Sequence, residues 1–245
     1  MKYTLNYVHL FVYSMVCSGS YYGILTGTCI ALNIGMSFLL GWSLYALVTI
    51  GHDCVHGSFS PYATVNHVLS IVCLNMILMP WHQWKEEHSS HHQDPGHDDD
   101  HMLLIGATWC GRWKHILCSQ QPIPWKYQLC KVPLLVALCF LPWYGLPFIW
   151  WTFIACFIYL SLTPHLTTPH LKEWDKDEKQ AADIAWNIFP SSHVYTLLAG
   201  GLNIHGCHHH NCKWTRSELM HEADETYMTI ATLSEFMTLM QQFYT

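Results

Sequence analysis

Three short histidine runs set the chemistry open to this chain of 245 residues, which holds 19 histidines in all. His52-Asp53-Cys54-Val55-His56 spaces two imidazoles at i and i+4, so both fall on one face of a helix and can ligate the same or adjacent metals. His88-Ser89-Ser90-His91-His92 and His205-Gly206-Cys207-His208-His209 each put one histidine at i and two at i+3 and i+4, which brings three imidazoles to one side. A single histidine in such a segment is ordinarily a hydrogen-bonded core or interface residue. Two HxxHH runs and one HxxxH run together read as a metal site. Their combined nitrogens exceed what one tetrahedral or octahedral ion can use, so two metals are implied. Structural zinc would recruit the available cysteines and close its shell. A histidine-rich, thiolate-free set suits iron with open positions for O2.

The elements that must carry these runs read as membrane helices. Apolar residues make up 51% of the chain and charged residues 11%, less than half the roughly 25% of a soluble domain. No Asp, Glu, Lys or Arg occurs between Lys2 and Asp53, or between Lys131 and Lys172. The first gap reads as spans near 4–22 and 27–50, turning around Gly19, Ser20 and Gly23; the second as spans near 131–146 and 147–164, broken by Pro142, Gly145 and Pro147. The expected fold is an all-α integral membrane protein with about four transmembrane helices in two hairpins and a cytosolic helical cap holding the metals. Residues 54–84, interrupted by His56, His67 and His82, read as helices at the interface rather than a fifth span. Lys2, then Lys85, Arg112, Lys114, Lys126 and Lys131, then Lys172, Lys176, Lys179, Lys213 and Arg216 fall on one side of such an arrangement. The positive-inside rule makes that side the cytosol, and every histidine run is on it.

The apolar N-terminal run lacks a convincing cleavage site and is expected to remain as a span. Eleven cysteines without a CxxC pair argue against a disulfide framework, and Cys17, Cys29, Cys139 and Cys156 sit in expected spans. A net charge of −6 without a basic stripe speaks against nucleic acid as a partner. With no internal repeat, residues 1–245 read as one domain, and 216–245, with Glu218, Glu222, Glu225 and Glu235, as cytosolic helix.

The run Gly51-His52-Asp53-Cys54-Val55-His56-Gly57-Ser58-Phe59-Ser60, then Pro80-Trp81-His82-Gln83-Trp84, then His88-Ser89-Ser90-His91-His92 resembles the opening half of the membrane fatty acid desaturase superfamily. The likeness to acyl-lipid desaturases that work toward the methyl end extends through Tyr144-Gly145-Leu146-Pro147 and covers most of 45–215. It implies two irons, cycling between Fe2+ and Fe3+ with O2 as co-substrate, held on the cytosolic face by eight box histidines and one more. Position by position the eight are His52, His56, His88, His91, His92, His205, His208 and His209. The ninth implied is His165, in Thr163-Pro164-His165 after the fourth span; its rival is His170, and Pro164 and Pro169 keep one continuous helix from presenting both. The beta-carotene ketolase branch is similar too, echoed by Asn66-His67, by Asp98-Asp99-Asp100 and by Pro164-His165. The third run departs from both branches, with His210-Asn211-Cys212 where a proline-containing sequence usually follows.

Asp53 is expected to orient a ligating imidazole through a hydrogen bond, the alternative being a helix cap. Asp98-Asp99-Asp100, flanked by His97 and His101, reads as a solvent-facing acidic loop. Trp42, Trp143, Trp150 and Trp151 read as interfacial belt and span packing. His67, His82, His97, His101, His115, His193 and His221 are assigned no metal. Breaking an unactivated C–H bond is beyond side-chain acids and bases, so the oxidant is expected to be the metal centre. The substrate is then a lipid, entering from the bilayer along an apolar tunnel. Without a cytochrome, flavin or nicotinamide motif, electrons are expected from a separate ferredoxin or cytochrome b5 type donor, with Lys85, Arg112, Lys114, Lys126 and Lys131 as a docking face. The competing products are an unsaturated acyl chain and an oxygenated carotenoid ring. A metal transporter, the reading from another class, would place ionisable ligands inside its spans, where little beyond His9 is found.

Overall fold

The computed structural model describes residues 2–76, 81–93, 187–226 and 229–244. The expected spans at 131–146 and 147–164, together with His97 to His101, His115, His165 and His170, lie outside these residues. The described chain is mostly helical and forms two compact units.

The first unit holds residues up to Trp81 together with Thr215–Ser217. Two long helices, α1 (Thr4–Thr26) and α2 (Ile30–His56), contain no proline and pack on each other. At about 1.5 Å per residue they measure roughly 35 and 40 Å, enough to cross a hydrocarbon core of about 30 Å. Their outward residues are large and apolar: Phe11 is 66% exposed and Ile30 78%, with Met15, Tyr22, Leu32 and Phe38 beside them. Two apolar helices of spanning length with such surfaces suit association with a membrane.

Both helices run past the ends expected for the spans. The break placed at Gly19, Ser20 and Gly23 does not occur. Ser20 is buried, and the Met36 sulfur lies 3.3 Å from where a Cβ on Gly23 would stand, so Ser20 and Gly23 serve helix contact rather than a turn, while Gly19 faces open space within the continuous helix. The turn comes at Gly27, whose N–H donates to the Gly23 carbonyl (2.8 Å) and whose carbonyl accepts from Asn33 Nδ2 (3.2 Å).

From Leu40 onward α2 is largely buried, and it stops at the last histidine of the first run. Gly57 adopts φ 73°, the left-handed conformation that closes helices. Its N–H donates to the Cys54 carbonyl, and the Ser58 N–H and hydroxyl both donate to the Asp53 carbonyl, each at 3.0 Å. The following loop is tied down by side chains. Asn6 Nδ2 donates to the carbonyls of Ser58 and Phe59 (3.1 and 2.9 Å), and Asn66 exchanges two bonds with the Ser60 backbone (2.9 and 2.8 Å). Helix α3 (Ala63–Asn75) spans only about 20 Å, too short for a fifth crossing. It packs against α2 at Gly51, where a Cβ would lie 3.1 Å from Cys73 Cβ and 3.2 Å from Leu74 Cγ.

The second unit contains α4 (Trp81–Gln93) from His82 onward, the two-residue strands β1 (Asn187–Ile188) and β2 (Thr229–Ile230), and helices α5 (His193–Leu198), α6 (His205–His210), α7 (Arg216–Thr226) from Glu218 onward and α8 (Leu233–Tyr244). The strands pair in parallel, Asn187 with Thr229 and Ile188 with Ile230. Two buried asparagines extend this small frame to the third histidine run. Asn203 Nδ2 donates to the Ile188 carbonyl (2.9 Å) and Thr196 Oγ1 (3.1 Å), and Asn187 Oδ1 accepts from the Cys207 N–H (3.2 Å). Helix α8 begins with a reciprocal cap, Glu235 accepting from the Thr232 N–H (3.0 Å) and Thr232 Oγ1 accepting from the Glu235 N–H (3.3 Å).

The contact at Gly51 is testable. Gly51→Leu should destabilise the detergent-solubilised protein by about 1–3 kcal/mol through overpacking. Gly35→Leu on the same helix, with open space around its Cβ position, should be nearly neutral. Equal melting temperatures for both variants would contradict the α2–α3 contact.

Candidate metal centre

In the second unit six histidine rings converge in two sets of three. Helix α4 supplies His88, His91 and His92 and α6 supplies His205, His208 and His209. In one set His92 Nε2 lies 3.1 Å from His88 Nε2 and 3.2 Å from His208 Nε2. In the other His209 Nε2 lies 3.2 Å from His91 Nε2 and 2.9 Å from His205 Nε2. Within each set the ligating nitrogens fall within 4.8 Å of one another. All but the half-buried His92 are buried.

These separations test whether a metal fits. A metal–nitrogen bond of about 2.1 Å sets nitrogens at right angles roughly 3.0 Å apart and tetrahedral ones about 3.4 Å apart. The four observed contacts lie at or near that range. Hydrogen bonding alone satisfies them poorly. A ring nitrogen carries either one proton or one in-plane lone pair, so the central His92 Nε2 and His209 Nε2 can each make one good bond to a neighbouring ring, yet each faces two. A cation among the three lone pairs removes the conflict. Local packing steadies the rings, as Trp84 stacks on His88, centroids 4.6 Å apart and planes within 15°.

In the first unit His52 and His56 sit one turn apart at the end of α2, their rings 4.9 Å apart. His52 Nδ1 lies 3.0 Å from Asp53 Oδ1. A carboxylate only accepts, so Nδ1 carries the proton and Nε2 keeps the lone pair a metal needs. The Asp53 side chain is thus spent on its neighbours while its carbonyl closes the helix. Its other oxygen accepts from Arg216 Nε at 2.7 Å. Arg216 is 2% exposed, and its remaining nitrogens are answered as well: Nη2 donates to Thr49 Oγ1 (3.0 Å), and Nη1 to His9 Nδ1 (2.9 Å) and, at 3.5 Å, to Tyr13 Oη. Burial disfavours the Arg216 charge, but the Asp53 carboxylate, Tyr13 and the hydrogen bonds to both together hold the guanidinium above its ordinary pKa.

Sequence reasoning did not find Arg216, Asn187 or Trp84 as supports. Trp84 had a signal, four residues before His88 on the same helix face; the other two carry none that is local. The departure after the third run has a structural account. Asn211 ends α6 in an extended conformation, its Oδ1 accepts from the Lys213 N–H (3.0 Å) and its carbonyl from the Trp214 N–H (3.1 Å), so an asparagine turn closes the helix. His67, His82, His193 and His221 stand outside both ring sets; His82 instead pairs with Glu86 (3.0 Å) on the exposed side of α4.

Apolar helices of spanning length and converging imidazoles define a membrane-associated protein with the donors for a metal centre. Residues 29–119 match the family described as fatty acid desaturase. Similar curated proteins include a probable fatty acid desaturase of Sorghum bicolor, 44% identical over 59 residues, 24% of this chain and 15% of that protein. An sn-2 acyl-lipid omega-3 desaturase (ferredoxin), chloroplastic, of Helianthus annuus is 46% identical over 57 residues, 23% of this chain and 13% of its own. An acyl-lipid omega-3 desaturase (cytochrome b5), endoplasmic reticulum, of Arabidopsis thaliana is 42% identical over 57 residues, 23% of this chain and 15% of its own. The matches thus span only 13–15% of the length of these relatives. Residues 29–119, which carry the first two histidine runs, are thus similar to fatty acid desaturases. The third run lies beyond the matched segment.

His209 faces both of its neighbours, so His209→Ala should lower bound metal by about one ion per chain when purified protein is assayed by elemental analysis. Unchanged metal content in a folded His209→Ala protein would remove the His91–His205–His209 set from the centre.

Proposed function

We propose that the chain holds two non-haem irons and uses O2 to introduce a double bond into the acyl chain of a membrane lipid. The observation that carries this reading is the convergence of six histidine nitrogens at ligand spacing, in a chain that matches fatty acid desaturases over its first two boxes. The proposed ligands are His52, His56, His88, His91, His92, His205, His208 and His209, with His165 as the ninth. Iron bound there would supply, with O2, the oxidising power to take hydrogen from an unactivated C–H bond.

The residues do the rest. Nδ1–H of His52 stays on Asp53, which would leave its Nε2 lone pair for a metal, and the backbone bonds of Asn187 and Asn203 hold the α6 histidines in place. Reduction of O2 to two waters takes four electrons. Two leave with the two hydrogens of the substrate, and two must come from a donor. The names of the sunflower and Arabidopsis relatives mention ferredoxin and cytochrome b5, which supports a donor of that type here. We further propose a multi-pass arrangement with the histidine boxes on the cytosolic face, supported by the grouping of the basic residues.

Expression in a host that makes beta-carotene, with analysis of fatty acids and pigments together, tests the reaction. New unsaturated acyl chains are expected. Keto-carotenoids with unchanged fatty acids would instead assign the chain the ring-oxygenating chemistry of the ketolase branch. Topology is tested with two accessible thiols. Cys29, exposed at the α1–α2 turn, should react with an impermeant maleimide on intact cells, and Cys212, half-exposed beyond the third box, only after permeabilisation. The reverse pattern would invert the protein in the membrane.

A further inference from the structure

We propose that Arg216 is a positioning residue for the metal centre, fixing the Asp53 carboxylate so that His52 presents Nε2 in one orientation; this rests on the di-iron reading above. A carboxylate beside an imidazole can rotate about its own side chain, and a metal ligand held by a rotating partner is poorly aimed. Here rotation is blocked. Arg216 Nε donates to Oδ2 at 2.7 Å while Oδ1 accepts from His52 Nδ1 at 3.0 Å, so each carboxylate oxygen has its own partner.

The guanidinium is itself clamped. Arginine has no acceptor, so the contact of Nη1 with His9 Nδ1 requires His9 to accept and to carry its proton on Nε2. Thr49 completes the fork, its hydroxyl accepting from Nη2 and donating to the Ala46 carbonyl (2.7 Å). Every step from Thr49 and His9 through Arg216 and Asp53 to His52 is therefore a donor meeting an acceptor. The direction is fixed, with protons pointing from Arg216 and from His52 toward Asp53. A structural ion pair needs only the Arg216–Asp53 contact; the added Asp53–His52 bond is what extends the chain to a box histidine.

The test uses the full chain in detergent, loaded with 57Fe, as wild type and as Arg216→Gln, Arg216→Lys and Asp53→Asn. Arg216→Gln should bind iron about 10–100-fold more weakly and show a changed Mössbauer quadrupole splitting for one iron only. Arg216→Lys, which keeps a donor and the charge, should recover part of the affinity. Asp53→Asn has the shape of the original but can turn an N–H toward His52 Nδ1, forcing the proton onto Nε2. It should lose the same iron even if Arg216→Gln fails to fold. Folded Arg216→Gln or Asp53→Asn protein with wild-type affinity and an unchanged spectrum would overturn the relay. A wild-type protein without iron, insensitive to His91→Ala and His208→Ala, would refute the di-iron reading itself and the relay with it. The two failures are therefore distinguishable.

Discussion

The buried pair of Arg216 and Asp53 is the constraint on which the first unit depends. Two charges removed from water cost several kcal/mol each, and their attraction repays this only when the remaining donors and acceptors are also matched. They are matched here by His52, His9, Tyr13 and Thr49, drawn from both long helices. Loss of one partner would leave a charge stranded inside the helical hairpin, a defect of about 3–5 kcal/mol. The partners lie 163 residues apart in the chain, so the hairpin cannot complete its own interior. A segment following the third histidine run must arrive before the end of α2 is fully satisfied. Assembly of the first unit is in this way made conditional on a distant part of the chain.

The first and third histidine runs share a second constraint, which is backbone control at helix ends. A ligand set demands ring positions good to a fraction of an ångström, yet loops and helix ends are where backbones move most. The chain answers with asparagines. Asn6 and Asn66 hold the loop after the first run, Asn187 and Asn203 hold the third run, and Asn211 closes α6. An amide offers a donor and an acceptor on one rigid group, so it can substitute for a missing strand neighbour. These residues carry no charge, so they hold backbone without adding carboxylates that would compete for a metal.

Local periodicity made the ring sets legible in the sequence, because i, i+3 and i+4 fix which side chains share a helix face whatever the tertiary fold. Helices α1 and α2 were legible too, since a long apolar stretch without charge suits a hydrocarbon core and little else. Their ends were not. Gly19 and Gly23 read as a turn, but a glycine signals a turn and a close helix contact equally well, and here Met36 fills the space beside Gly23. Arg216 shows the deeper limit. In the sequence it is one of several basic residues whose grouping orients the chain, and nothing near it marks it as buried. Its partners lie in segments with no periodic relation to it, and His9, the odd polar residue of the first span, has its meaning only through that contact.

The cysteines inside the first and third runs carry the last step. Each stands two residues after a histidine, Cys54 after His52 and Cys207 after His205. At 100° per residue a helix turns them about 200° away from that imidazole. The structure uses them accordingly. Cys54 is buried in the α2 interior, and Cys207 Sγ faces Asn187 Nδ2 at 3.6 Å. Sulfur is present within both sequence runs but absent from both ring sets. A site built to keep zinc would gain from turning such thiols inward, since thiolates close a tetrahedral shell and bind it tightly. Placing them on the opposite helix face leaves imidazole nitrogen as the only donor that these runs bring to the two ring sets among the described residues. The spacing that makes each run a recognisable motif thus also keeps the softer ligand on the far side of the same helix.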